Sequence, residues 1–151
     1  MTTLTKKGYD QFHREHTKLT KDRVLALQDM VRMRELGDLS ENAGYRAAKG
    51  KLRRIDNRIR FLEKLLRTAR VASPLPGDLK HIVIGAQVTL HDSNKTFQYS
   101  VVDSIESDIV HGKISIRSPL GRALMGKKVG DVVKVHTPQG IRSVTIDSLW
   151  Y

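Results

Sequence analysis

No cysteine occurs in this chain, which excludes disulfides and thiolate metal sites and agrees with a reducing compartment. Carboxylates and histidines are then the only side chains suited to holding a metal. Aromatic residues make up 5 % of the sequence, with a single Trp, so the helical stretches lack the broad aromatic face of a membrane-surface helix. No apolar run reaches the roughly 18 residues of a transmembrane span. The opening Met1-Thr-Thr-Leu-Thr-Lys-Lys has no hydrophobic secretory segment. The expectation is a soluble, cytoplasmic protein with no membrane partner. Proline is scarce as well, and two of the four prolines fall together in residues 72–80, Ala-Ser-Pro-Leu-Pro-Gly-Asp-Leu-Lys, which reads as a linker.

Acidic residues are few: 16 Asp and Glu stand against 27 Lys and Arg, a formal net charge of +11 over 151 residues. The excess is concentrated. Residues 1–70 carry 18 basic and 9 acidic residues, net +9, whereas residues 71–151 carry 9 and 7, net +2. A basic surface of this density points to a polyanion, with nucleic acid favoured over membrane.

The basic half has the periodicity of a helical hairpin. Ala48, Leu52, Ile55, Ile59, Leu62, Leu66 and Ala69 alternate at spacings of four and three, the a/d seam of a coiled coil. An earlier helix, opening near Thr3 or Thr5, presents Tyr9, Phe12, His16 and Leu19, and then, after a slip of register, Val24, Leu27 and Val31. The short connection over residues 34–42 predicts two antiparallel helices side by side. Helices of about 30 residues make a rod on the order of 45 Å, long enough to enter a deep channel. Beyond the linker the period becomes that of strands, over residues 87–91, 96–103, 113–117, 131–137 and 142–149. Ser118 as cap and Pro119 at the first helical position open a short helix over 119–125. The fold expected is therefore α+β: an N-terminal antiparallel coiled-coil hairpin (1–71), a linker (72–80), and a small antiparallel β domain with one helix (81–151).

The bend of the hairpin carries Asp38 and Glu41, two carboxylates in an otherwise basic segment. Three residues apart on a tight bend, they can reach one cation, and two hard oxygen donors suit a Mg²⁺ whose remaining ligands come from another molecule. The competing explanation is helix capping, with Asp38 or Ser40 satisfying free N–H groups and Glu41 at the positive end of the second helix. That helix bears Arg46, Lys49, Arg53, Arg54, Arg60 and Lys64, with Arg67 beyond. An ordinary coiled-coil outer face would interleave acids, yet only Asp56 and Glu63 occur between Tyr45 and Val71. A stripe that follows a phosphate backbone explains the pattern better. The six histidines, His13, His16, His81, His91, His111 and His136, show no metal-ligand spacing and read as structural. With no nucleophile elbow and no glycine-rich phosphate loop, the chain has no self-contained active site.

The stretch Arg34-Glu-Leu-Gly-Asp-Leu-Ser-Glu-Asn-Ala-Gly-Tyr45, followed in order by Ser118-Pro-Leu-Gly-Arg-Ala-Leu-Met-Gly-Lys-Lys-Val-Gly-Asp131, resembles the bacterial Gre transcript cleavage factors. The opening Leu-Thr-Lys-Lys-Gly-Tyr and the late Thr-Pro-Gln-Gly extend the likeness over nearly the whole chain. The basic run Lys51-Leu-Arg-Arg-Ile-Asp-Asn-Arg is similar to the GreB branch rather than GreA. The resemblance implies a coiled coil inserted through the secondary channel of RNA polymerase and an FKBP-like C-terminal domain at the channel rim, contacting it through Ser118, Pro119 and Arg122. It implies that Asp38 and Glu41 help hold a Mg²⁺ shared with the polymerase active site, none being held by the isolated protein, and position the attacking water. It further implies that the basic stripe holds the nascent RNA 3′ end of a backtracked complex, and that a monomeric factor stimulates the polymerase's own nuclease rather than acting as an enzyme. Two positions depart from the family pattern: Gly44 stands where a further acid is usual, and Arg117 where a small polar or acidic residue is expected. Two rival readings remain, a channel-binding regulator that does not promote cleavage and a basic coiled-coil nucleic-acid binder that needs no polymerase.

Overall fold

A computed structural model describes residues 2–38 and 41–151 of the chain. Contacts divide it into two compact units, Met1–Gly8 with Arg70–Tyr151, and Tyr9–Ala69. The expected boundary at residue 71 is therefore crossed by the start of the chain. Strand β1 (Thr3–Leu4) pairs in parallel with β2 (Arg70–Val71), Thr3 opposite Arg70 and Leu4 opposite Val71, and Leu4 is fully buried.

Helices α1 (Lys6–Glu35) and α2 (Ala43–Thr68) form the first long elements. Thr5 caps α1, its Oγ1 accepting from Gly8 N at 2.9 Å. The helices run antiparallel: Arg23 donates to Asp56 at 2.6 Å, Arg58 donates in two bonds of 2.7 and 2.9 Å to Glu15, and His16 faces Glu63 at 3.5 Å. On α2 the seam is as expected, with Leu52 and Leu62 buried and Ala48, Ile55, Ile59, Leu66 and Ala69 half-buried; Leu65 is buried beside it.

The seam of α1 differs from the expectation. Val24, Leu27 and Val31 are 53, 38 and 43 % exposed, while Ala26 is buried. An unbroken α-helix of 30 residues cannot change the face it presents midway without a bulge or kink. The register set by Tyr9, Phe12, His16 and Leu19 therefore continues through Arg23, Ala26, Met30 and Met33, and the polar Arg23 is tolerated because its guanidinium meets Asp56.

The second unit is built on a sheet of order β5-β4-β3-β7-β6, with β3 (Gln87–Asp92), β4 (Lys95–Val102), β5 (Lys113–Ser115), β6 (Val132–Thr137) and β7 (Gly140–Trp150). Two-residue loops close the hairpins β3–β4 and β6–β7, the second leaving Gly140 at φ +118°. The sheet is mixed rather than purely antiparallel. β5 pairs in parallel with the last three residues of β4 because residues 103–112, including 3-10 turns at Ser104–Glu106 and Ile109–His111, loop the chain back so that Lys113 stands opposite Ser100. Alternate strand positions, Val88, Leu90, Val101, Ile114, Val133, Val135, Val144 and Ile146, face one core. Helix α3 (Pro119–Leu124) closes that core with Leu124. Its approach demands glycine at 121, where a Cβ would stand 2.0 Å from the Ser115 carbonyl oxygen.

Candidate functional site

The turn between α1 and α2 is organised by Asn42. Its Oδ1 accepts from Tyr45 N at 2.8 Å, capping α2, and its Nδ2 donates to Met33 O at 2.7 Å, satisfying a carbonyl in the last turn of α1. One side chain thus closes both helix ends. Asp38 and Glu41 are exposed and line one shallow hollow with Met33, Leu36, Gly37 and Asn42. The two acids thus share one hollow. The N-cap of α2 is Asn42, and Ser40, one of the capping candidates, lies outside the described residues. Glu41 immediately precedes the cap, at the positive end of α2. No group of three or more His, Cys, Asp or Glu able to hold a metal occurs among the described residues. Two carboxylates fit Mg²⁺ in donor chemistry and leave most of its octahedron to other ligands.

Arg46, Lys49, Arg53, Arg54, Arg60 and Lys64 are all exposed on α2. At 3.6 residues per turn, five of them fall within a sector of about 60°, joined by Arg67, while Arg54 lies about 80° outside it. Arg60 donates to Asn57 at 2.6 Å within the helix. Arg58, on another face, is committed to Glu15, which raises its pKa above the ordinary arginine value, and its guanidinium lies 5.1 Å from the Phe61 ring centre.

Near α3, Ser118 Oγ accepts from Gly121 N at 3.0 Å and donates to Ser115 O at 2.7 Å. Its hydroxyl is thereby occupied within the fold. Pro119, at the first helical position, and Arg122 are exposed, as is Arg117 before them. The bridging role of Asn42 was not anticipated. Its capping half is signalled by an Asn just before a helical run, but the bond to Met33 crosses nine residues of turn and has no local signature.

The sequence of both units matches known families. Residues 2–71 match the model described as "Transcription elongation factor, N-terminal", and residues 77–151 that described as "Transcription elongation factor, GreA/GreB, C-term". The chain is 42 % identical to transcription elongation factor GreA of Paracoccus denitrificans, over 98 % of this chain and 96 % of that protein. The chain belongs to the GreA/GreB family. To GreA of Acholeplasma laidlawii it is 45 % identical, over 89 % of this chain and 86 % of that protein. The solved structure of GreA factor homolog 1 from Thermus thermophilus aligns over 99 % of both chains at 30 % identity, with a TM-score of 0.46. The relatives carry the GreA name, and nothing in the comparisons supports the closer likeness to GreB. In this GreA/GreB-family chain Gly44 leaves the first turn of α2 without an acid. A Cβ there would meet Met33 Sδ at 3.1 Å and Asn42 Oδ1 at 3.3 Å, so a larger residue requires the flexible end of Met33 to move.

Proposed function

We propose that this chain is an elongation factor that binds bacterial RNA polymerase through its secondary channel and stimulates cleavage of the 3′ end of backtracked RNA. The observation that carries the proposal is the pair of exposed carboxylates, Asp38 and Glu41, on one hollow at the turn between two long helices of basic surface. Asp38 and Glu41 supply oxygen ligands toward a Mg²⁺ shared with the polymerase and accept hydrogen bonds from the attacking water. That cation, when bound, supplies activation of the nucleophile and stabilisation of the leaving oxygen in phosphodiester hydrolysis. Asn42 holds the two acids in place by tying both helix ends. The α2 sector of Arg46, Lys49, Arg53, Arg60 and Lys64, all exposed, follows the phosphates of the extruded RNA. Pro119 and Arg122 dock at the channel rim, beside the occupied Ser118 hydroxyl. The factor works as a monomer, and the bond-breaking machinery remains the polymerase's own.

A second reading, a channel-binding regulator that does not promote cleavage, is favoured by one observation: Gly44 leaves the tip with fewer acids. The deciding experiment is cleavage of 3′-labelled RNA in a stalled, backtracked elongation complex with Mg²⁺, comparing the wild type with an Asp38→Asn, Glu41→Gln double variant. Shortened RNA with the wild type alone supports the proposal. Polymerase binding without shortening by either protein moves the chain to the regulator class.

A further inference from the structure

The unit containing the β-sheet has a cleft of about 290 Å³ remote in sequence from the tip acids, lined by Thr5, Lys7, Gly85, Gln87, Ser100 and Lys113, with Val102 as an apolar wall. Its floor follows from strand register. Gln87 on β3 stands opposite Ser100 on β4, and Ser100 opposite Lys113 on β5, so the three form a row across adjacent strands. Their neighbours Val88, Val101 and Ile114 face the core, which puts the row on the opposite face of the sheet. Lys7, in the first turn of α1, contributes the other side of the cleft.

The polar groups are arranged as donors. Ser100 Oγ donates to Gln87 Oε1 at 2.5 Å, which uses the amide's acceptor and leaves its NH₂ to donate. Neither Lys7 nor Lys113 has an ion-pair partner among the described residues. The acids closest in the fold are already engaged. Glu106, buried, accepts from Thr5 N at 2.8 Å and from Thr5 Oγ1 at 2.6 Å. Asp108, whose backbone bridges Lys113, is bonded to His111 Nδ1 at 2.6 Å, and that bond lowers its carboxyl pKa below the ordinary range. The carboxylate of Asp103 faces Thr3 N at 3.5 Å. Among the described residues, no acid lines the cleft. Two ammonium groups without counter-charge and a free amide NH₂ around one hollow match an anion of charge near −2 with several acceptor oxygens.

We propose that this cleft binds a phosphate group. The two sources with this chemistry are a free nucleotide and the backbone of a nucleic-acid strand, and the site is independent of the tip acids and of the α2 basic sector. The test is an NMR titration of the full-length, isotope-labelled protein, following the amides of Gly85, Ser100 and Lys113. The probes are adenosine 5′-monophosphate, inorganic pyrophosphate and a short single-stranded RNA; the variants are Lys7→Gln with Lys113→Gln, and separately Arg53→Gln.

Saturable shifts at these amides with pyrophosphate or the nucleotide are expected, weakened at least about tenfold in the double lysine variant, the floor set by losing one of its two charge-assisted hydrogen bonds, and unchanged by Arg53→Gln. If RNA shifts the same amides and competes with the nucleotide, the source is a strand's backbone; if only the small anions do so, it is a free nucleotide. Absence of shifts at millimolar probe, shifts confined to α2, or equal affinity in the double lysine variant would overturn the proposal. Both lysine changes are at solvent-accessible positions, and an unchanged melting temperature verifies that the variant is folded.

Discussion

Replacing Asn42 tests the organisation of the tip through two bonds made by one side chain. Asn42→Ala removes the cap on Tyr45 N and the donor to Met33 O. The lost cap costs about 1 kcal/mol and the lost amide bond about another 1 kcal/mol, since both lie in a half-buried setting where water replaces them only partly. The hairpin unit should therefore lose about 2 kcal/mol, a drop of roughly 10 °C in its melting temperature for a unit of this size. Asn42→Asp separates the two terms. A carboxylate caps a helix as well as an amide does and is favoured at its positive end, but it has no proton for the Met33 carbonyl, which it would instead face at 2.7 Å. Asn42→Asp should thus cost about 1 kcal/mol, set mainly by the lost bridge. Thermal and urea unfolding followed by far-UV circular dichroism reads the stability, and the transcript cleavage assay reads the effect on Asp38 and Glu41. Both variants should bind polymerase and cleave less well, Asn42→Ala more so. Unfolding curves superimposable on the wild type for both would refute the bridging role, and equal losses in the two variants would refute its division into cap and bridge.

Charge reversal at neighbouring arginines should have unequal effects: Arg53→Glu, inside the α2 sector, should reduce cleavage of long extruded RNA several-fold more than Arg54→Glu, outside it, and equal losses would remove the sector as the RNA-binding face. The α1 register predicts that Leu27→Lys changes stability by less than about 0.5 kcal/mol, whereas Leu62→Ala, at a fully buried seam position, costs about 2–5 kcal/mol; denaturant unfolding distinguishes them. At Asp92, bonds from Arg142 and from Ser93 hold the carboxyl pKa below the usual carboxylate range. A folded value below the unfolded one, about 3.9, means that this contribution to stability is present above that pH and is lost as pH falls through the folded value. A carboxyl-carbon NMR titration should find Asp92 titrating below the ordinary aspartates, and Arg142→Gln should return it toward them; an unshifted Asp92 in the wild type contradicts the ion pair.

Much of this protein was legible because the relevant signals are local. The four–three spacing from Ala48 to Ala69 specifies a buried stripe whatever it packs against, and the five strands follow from alternation interrupted by turn residues, each lying within two residues of its expected bounds. Ser118 followed by Pro119 marks α3 through a cap and a preset φ, both complete within four residues. That Asp38 and Glu41 line one hollow follows from the same locality, since they lie three residues apart at a bend. The sequence by itself therefore determined the helical hairpin, the strands, the acidic turn and the basic sector.

Only the tertiary structure decided matters that depend on a distant partner. Arg23 is a poor seam residue until Asp56, 33 positions away, meets its guanidinium, and hydrophobicity alone therefore placed Val24, Leu27 and Val31 on a face that is exposed. β1 gains its identity from Arg70 and Val71, and the direction of β5 comes from the path of residues 103–112 rather than from its own three residues. The same holds for the row of Gln87, Ser100 and Lys113, whose members are scattered in sequence and meet only through strand register. Spacing along the chain encodes which face of an element is apolar, because side-chain direction repeats with backbone geometry. It does not encode which remote group will satisfy a charge, a carbonyl or a strand edge, and those choices are made when the elements pack.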